Sequence, residues 1–453
     1  MPQKEELVGQ IEISQEQFGR WQKTLSNVSK FTEVLTNNLA DIEHISTTFQ
    51  LILAGAVILN SSDIHLEPEE EKTKLRIRLD GILHDTVFIA PPLYNKLLSR
   101  IKLLAGLKLN ITDRFQDGRF TLQINSGQAL QIVNNAKKPI EIEVRVSVLP
   151  SEYGEAVVMR VLNPQSLLCL EELGIREDLR AAFEKEISRP NGMLIVTGPT
   201  GSGKTTTLYA ILKKIQSPEI KIITIEDPIE YHLEGISQSQ VAPKSGYTFA
   251  SGLQAIVRQD PDVILVGEIR DLETAQMAIQ ASLTGHLVLT TLHTNDAAGT
   301  IARLGALGEK PTEVAPALNA VIAQRLVRMV CRECHEMAQP TPSEIKEIEK
   351  EIADLPPVVR ETLKAKNLTK ISTIPRAKGC PKCNSTGYKG RIGIYELFIV
   401  DDEMENIIAA GPSIADLNKK AREKGMATIK QDGFIKVLQG ITTLEEVNRV
   451  VGS

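Results

Sequence analysis

Gly198-Pro199-Thr200-Gly201-Ser202-Gly203-Lys204-Thr205, followed by Thr206, is a glycine-rich loop of the kind that wraps a phosphate. Residues 194–197 ahead of it read as a short buried strand, and residues from 206 onward open a helix. Glycines let the backbone curl until successive N–H groups converge on one phosphate, and the helix N-terminus adds its dipole. Lys204 would reach the β- and γ-oxygens of such a ligand, and Thr205 would hold Mg2+. A glycine-rich turn with an incidental lysine is the plainer alternative, and the strand–loop–helix setting disfavours it. The chain is expected to bind a nucleoside triphosphate through residues 198–206.

Three further segments narrow the chemistry. Residues 221–225 form an apolar strand that ends in Glu226 and Asp227, with Glu230 close behind. In a parallel sheet the carboxyl end of such a strand lies beside the phosphate loop. Carboxylates there polarise an attacking water or bind magnesium through water. A helix-start cluster with surface charge is the alternative. Residues 262–266 are a second buried strand, running into Gly267, Glu268, Ile269, Arg270 and Asp271. This resembles the second nucleotide-binding motif of phosphate-loop enzymes, with glycine where aspartate is usual, so Glu268 carries the magnesium-side role alone. His286 and His293 bracket a third strand, residues 287–292. A histidine at a strand end near a γ-phosphate donates a hydrogen bond and registers its loss. A histidine satisfied inside the core is the alternative; sensing is assigned first to His293 and second to His286.

The cysteines raise a separate question. Four of the five fall into two Cys-x-x-Cys pairs, Cys331/Cys334 and Cys380/Cys383, and Cys169 stands alone. Two thiolates from each pair fill a tetrahedral zinc site and leave no open position, which makes the expected metal structural. Four separate buried thiols are the alternative, and His335 is at most a spare ligand. No signal-peptide layout and no apolar run long enough to span a bilayer are visible, so the chain is expected in the cytosol, where disulfides are rare.

These residues need elements to hold them. The 453 residues carry 52 basic and 57 acidic side chains, a net charge of −5, with Trp21 the single tryptophan. That balance argues against a nucleic-acid groove and leaves few platforms for base stacking. Residues 1–60 read as a short helical N-terminal segment: a small cap, an adaptor for a partner, or a segment that simply packs on the next domain. Residues 61–165 read as a small α+β domain, with strict alternation at 74–79 and 140–149 and a helix at 93–109. Strands alternating with helices over 166–330 imply a mostly parallel sheet with flanking helices. Residues 331–390 read as a tetracysteine subdomain with helices between 343 and 370. Residues 391–453 read as helical, with Thr443 and Glu446 framing a capping box for the last helix.

The phosphate loop, the strand ending Ile225-Glu226-Asp227-Pro228-Ile229-Glu230, the strand ending Gly267-Glu268-Ile269-Arg270-Asp271 and the His286…His293 segment, in this order, resemble the secretion ATPase superfamily. Their wording looks like that of the type II secretion and type IV pilus assembly ATPases. Ser62-Asp63-Ile64-His65-Leu66-Glu67-Pro68 and Arg76-Ile77-Arg78-Leu79-Asp80-Gly81 match the same family's domain ahead of its core, and the resemblance covers about residues 50–453. It implies an α/β fold: a RecA-like phosphate-loop core, a preceding small α+β (PAS-like) domain, a zinc subdomain and a helical C-terminal region. It also implies that ATP is hydrolysed, with Lys204 and Thr205 on the phosphates and Mg2+. Glu230 would be the general base, supported by Glu226 and Asp227, Glu268 the magnesium-side acid, and His286 and His293 members of a histidine box.

The resemblance further implies a homo-hexameric ring in which a neighbouring surface completes each site. It implies a cytoplasmic protein peripheral at the inner membrane, passing movement of the 61–162 domain to an inner-membrane platform protein. Arg76 and Arg78, two apart on one strand face, are candidate arginine fingers, with a solvated strand face as the alternative. Arg258 and Arg270 flank the second acidic strand and are candidates for orienting phosphates or making subunit contacts. The zinc element resembles that of secretion and extension ATPases, whereas retraction ATPases resemble the core and lack the cysteines. The segment before residue 61 is shorter than the N-terminal domains of many assembly ATPases, so their docking and cyclic-dinucleotide roles are not carried over. Two other readings stay open: a DNA-uptake or conjugation motor of the same core fold, and a non-hydrolysing nucleotide-dependent assembly scaffold, against which Glu230 and Glu268 speak.

Overall fold

Leu75, Ile77 and Leu79 alternate with Lys74, Arg76 and Arg78, and the strand they form buries the first set and turns the second outward. The computed structural model describes residues 9–39, 45–125, 131–133, 136–365 and 371–452. The described chain divides into two bodies, residues 1–166 with the short segment 379–386, and residues 167–378 with 387–453.

The first body is built on a seven-stranded sheet. Its strands are β1 (Gly9–Ile13), β2 (Asp63–Pro68), β3 (Thr73–Leu79), β4 (Ile82–Ile89), β5 (Gln116–Ile124), β6 (Ile140–Ser151) and β7 (Gly154–Leu162). They lie in the order β1-β5-β6-β7-β2-β3-β4. The expected break near residue 60 falls inside this body's core. β1 pairs in parallel with β5, and Phe31 and Phe49 share one buried cluster with Leu75, Ile77 and Phe120. The apolar stretch of helix Ile45–Ile58 is buried from Leu51 to Ala56, which makes it a central core helix. Residues 1–8 and 40–44 of the expected N-terminal helical segment lie outside the described residues.

The second body holds another seven-stranded sheet. Its strands are β8 (Gly192–Thr197), β9 (Ile222–Glu226), β10 (Ser237–Gln240), β11 (Val263–Val266), β12 (Leu287–Leu292), β13 (Leu318–Val330) and β14 (Tyr388–Ile399). The order is β10-β9-β11-β12-β8-β13-β14. Every neighbouring pair is parallel except β13–β14. Met193 and Ile195 of β8 pack into one hydrophobic cluster and Leu194 and Val196 into another, so helices cover both faces. That two-sided burial is why β8, β9, β11 and β12 are buried along their whole length and mostly apolar, without alternation.

β14 corrects the expectation that the chain from residue 391 is helical. Its antiparallel register with β13 runs from Val330↔Tyr388 to Ala320↔Ile399 and closes the sheet edge. The helices Asp402–Ala409, Ile414–Glu423, Ile429–Leu438 and Leu444–Val451 follow it. Thr443 caps the last of them, accepting the Glu446 N–H at 3.1 Å. Between the cysteine pairs, helices Pro342–Ala353 and Pro357–Ala365 occupy the expected stretch, and residues 366–370 lie outside the described set.

Candidate nucleotide site and metal centre

β8 ends at Thr197, and the chain curls through Gly198–Gly203 into the helix Lys204–Ile215. Gly201 and Gly203 hold φ of +79° and +88°, a left-handed backbone that only glycine adopts without strain. A Cβ on Gly198 would lie 2.5 Å from the Gln324 carbonyl oxygen and 2.7 Å from Ser202 Oγ. Pro199, Thr200, Gly201 and Thr205 face solvent. Lys204 folds back over the loop, its Nζ donating to the carbonyls of Gly198 at 2.8 Å and Pro199 at 3.2 Å. An ammonium parked on backbone carbonyls can exchange them for phosphate oxygens. Among the described residues the buried Ser202 hydroxyl has no hydrogen-bond partner, and a free hydroxyl in a curled glycine loop fits a phosphate oxygen.

Parallel strands bring their carboxyl ends to this edge. Glu268, two residues past β11, lies 2.5 Å from Arg270 Nη2 and 3.5 Å from His293 Nε2. His293, just past β12, places Nδ1 3.4 Å from Lys204 Nζ. An imidazole between an ammonium and a carboxylate is best served by the tautomer that accepts at Nδ1 and carries its proton at Nε2. Burial holds the Lys204 ammonium below its ordinary pKa, Glu268 opposes that shift, and Arg325 adds to it. Arg325 is lowered by burial as well, and donates to the Asn295 carbonyl at 2.9 Å. Two partly desolvated cations beside a curled glycine loop form a site for an anion.

The three carboxylates after β9 separate. Glu226 is buried and accepts from the Tyr209 hydroxyl, from Thr224 Oγ1 at 2.6 Å and from Gln238 Nε2 at 3.2 Å. Those donors hold it inside the fold, so it braces the structure and does not face a water at the edge. Asp227 is exposed, 3.7 Å from Arg270 Nη1. Glu230 is half-buried on the loop that follows.

The two histidines also part company. His286 precedes β12, its Nδ1 lies 2.9 Å from the Ala281 carbonyl, and its own carbonyl accepts the N–H of Gly192, the first residue of β8. Six strand residues, about 20 Å, therefore separate it from the phosphate-loop edge. Arg258 is the C-terminal cap residue of helix Phe249–Val257.

In the first body, Arg76 Nε lies 2.8 Å from Asp85 Oδ1 and its Nη1 3.4 Å from Glu67 Oε2. Arg78 pairs with Asp63 at 3.1 Å and lies 3.4 Å from His65 Nε2. Both arginines stand on the outward face of β3, each already held by acids of its own sheet.

Sequence reasoning missed Gln324. It is buried, accepts from Thr207 Oγ1 at 2.7 Å and donates to the Ser202 carbonyl at 2.8 Å, bracing the phosphate loop from β13. The available signal was a polar pair, Gln324-Arg325, interrupting an apolar strand. Thr197 was missed too. Its hydroxyl receives the Thr294 N–H at 2.9 Å and ties the end of β8 to the His293 segment.

The sulfurs of Cys331, Cys334, Cys380 and Cys383 all lie within 4.8 Å of one another, and the Cys383–Cys380 separation is 3.8 Å. A tetrahedron with Zn–S of about 2.3 Å has S···S edges of about 3.8 Å, so the spacing fits zinc and rules out a disulfide. The Cys380 N–H points at Cys383 Sγ at 3.1 Å. His335 Nδ1 lies 3.1 Å from the Cys331 carbonyl. Cys169 is exposed, apart from the four.

A family model described as Type II/IV secretion system protein matches residues 38–449. The type II secretion system protein E of Pseudomonas aeruginosa is 46% identical over 400 residues, covering 88% of this chain and 74% of that protein. The type IV pilus assembly ATPase PilB of Thermus thermophilus is 42% identical over 397 residues, covering 87% of this chain. The chain spans only 42% of that relative's length. Among solved structures, the pilus retraction motor PilT with bound ADP superposes with a TM-score of 0.57 at 26% identity, covering 88% of this chain and 95% of PilT.

Proposed function

The chain belongs to the Type II/IV secretion system protein family, and from that premise we propose that it is a motor that hydrolyses ATP to drive type II secretion or type IV pilus assembly. The observation that carries this reading is the run Lys204–His293–Glu268 at the carboxyl edge of a parallel sheet, beside an exposed glycine loop. Loop N–H groups and Lys204 would grip the β- and γ-phosphates, with Lys204 leaving the carbonyls of Gly198 and Pro199 to do so. Thr205 and Glu268 would hold Mg2+, which supplies charge neutralisation on the phosphate oxygens. Glu230 would take the proton from the attacking water as its oxygen bonds to the γ-phosphorus and the bond to the β–γ bridging oxygen breaks. His293, already touching Lys204 and Glu268, would lose a partner when the γ-phosphate leaves, which makes it the sensor.

The working form in this proposal is a homo-hexamer, cytoplasmic and peripheral at the inner membrane, acting on a platform protein there. Arg76 and Arg78 are its candidate fingers; acting as such requires them to trade Asp85, Glu67 and Asp63 for phosphate. The four cysteines would hold one Zn2+, which supplies a cross-link, and no step of hydrolysis passes through it. Phosphate release from MgATP by the purified chain, abolished in Lys204→Ala, is the expected result. Equal release by that variant overturns the assignment, and stimulation by single-stranded DNA at physiological salt would favour the nucleic-acid motor instead.

A further inference from the structure

The loop that carries Glu230 leaves the sheet after Glu226 and returns at β10, and an aromatic residue of the phosphate-loop helix holds its first stretch. Tyr209 lies five residues beyond Lys204 on helix Lys204–Ile215 and is almost fully buried. Its hydroxyl donates to Glu226, the last residue of β9. Tyr231 packs edge-on against the Tyr209 ring, with centroids 6.3 Å apart and planes at 73°. Gln238 completes the hub from β10, donating to Glu226 at 3.2 Å and to the Tyr231 carbonyl at 3.0 Å, and accepting the Leu233 N–H at 2.7 Å.

We propose that Tyr209 is a positioning residue for hydrolysis: through Glu226 and Tyr231 it fixes the Glu230 loop in register with the helix that carries Lys204 and Thr205. Tyr209 can donate to the Glu226 carboxylate only as a neutral phenol. Burial, reinforced by Glu226, keeps its proton on far above the ordinary tyrosine range. Glu226, saturated by its donors, is the anchor and not a second base. The consequence is mechanical. The groups that grip the phosphates and the group that takes the proton move as one unit, so their separation does not depend on the exposed turn between them.

The inference rests on Glu230 being the base, and the test separates the two. Tyr209→Phe keeps the ring and removes the hydroxyl. The expected result is a fall in kcat of at least about tenfold, with KM for ATP changed less than about threefold. In a Glu230→Gln background, itself strongly impaired, the same substitution is expected to cause no further loss, because the hydroxyl acts through Glu230. Tyr209→Phe with wild-type kcat, with losses that multiply those of Glu230→Gln, or with ATP affinity and thermal midpoint falling together, overturns the positioning role and leaves Glu230 as base. Wild-type turnover in Glu230→Gln overturns both.

Discussion

Gln324→Leu probes how far the phosphate loop depends on the strand beside it. The substitution conserves volume and removes two hydrogen bonds at a site 1% exposed. The Ser202 carbonyl loses its 2.8 Å donor and stays buried, which costs about 1–3 kcal/mol. Thr207 loses its 2.7 Å acceptor, a share of about 1 kcal/mol. Together these come to about 2–4 kcal/mol, concentrated on Ser202–Gly203, where N–H groups must converge on phosphate. If half of that falls on the loop's binding-competent shape, affinity drops about five- to thirtyfold, since about 1.4 kcal/mol is one decade. Titration of a fluorescent ATP analogue reads the affinity, and a thermal scan shows whether the body stays folded. A dissociation constant within about a factor of two of wild type in a folded variant refutes the bracing argument.

Acidification offers a second test. Burial, with Arg78 next in weight, holds His65 below its ordinary pKa, and burial does the same to His84. Protonation then favours the unfolded chain, so their contribution is complete above about pH 6.5 and declines as pH falls below it. The thermal midpoint should drop between about pH 7.5 and pH 5.5, and His65→Gln should flatten that slope; an unchanged slope contradicts the assignment. For the metal centre, atomic emission should find about one zinc per chain, and Cys383→Ser should lose it together with thermal stability. Full zinc occupancy in that variant counts against the tetrathiolate.

The phosphate loop, the acid-ended β11 and the cysteine pairs were legible because each is written in contiguous residues whose chemistry demands that order. Residues 9–58 were harder. The pairing Gly9↔Phe120 joins a five-residue strand to a partner far along the chain, and nothing local to Gly9–Ile13 announces it. β14 read as part of a helical tail for the same reason: its partner β13 lies beyond the whole cysteine-bounded insertion, and Gly390 and Gly393 blur its alternation. Glu226, Asp227 and Glu230 are alike as types, and only Tyr209, Thr224 and Gln238, brought in by tertiary packing, assign the first of them to the interior. The split between His286 and His293 was available from the sequence, since residues at the two ends of one strand cannot serve one ligand.

Hydrolysis as proposed needs acidic side chains at the sheet edge to act on a nucleotide held by residues 198–206. Glu268→Gln tests it most directly, because it removes the charge facing His293 and keeps the shape. Phosphate release should fall at least about a hundredfold while ATP still binds with an affinity within about threefold of wild type. Release at the wild-type rate from this variant would show that Glu268 does not act on the bound nucleotide.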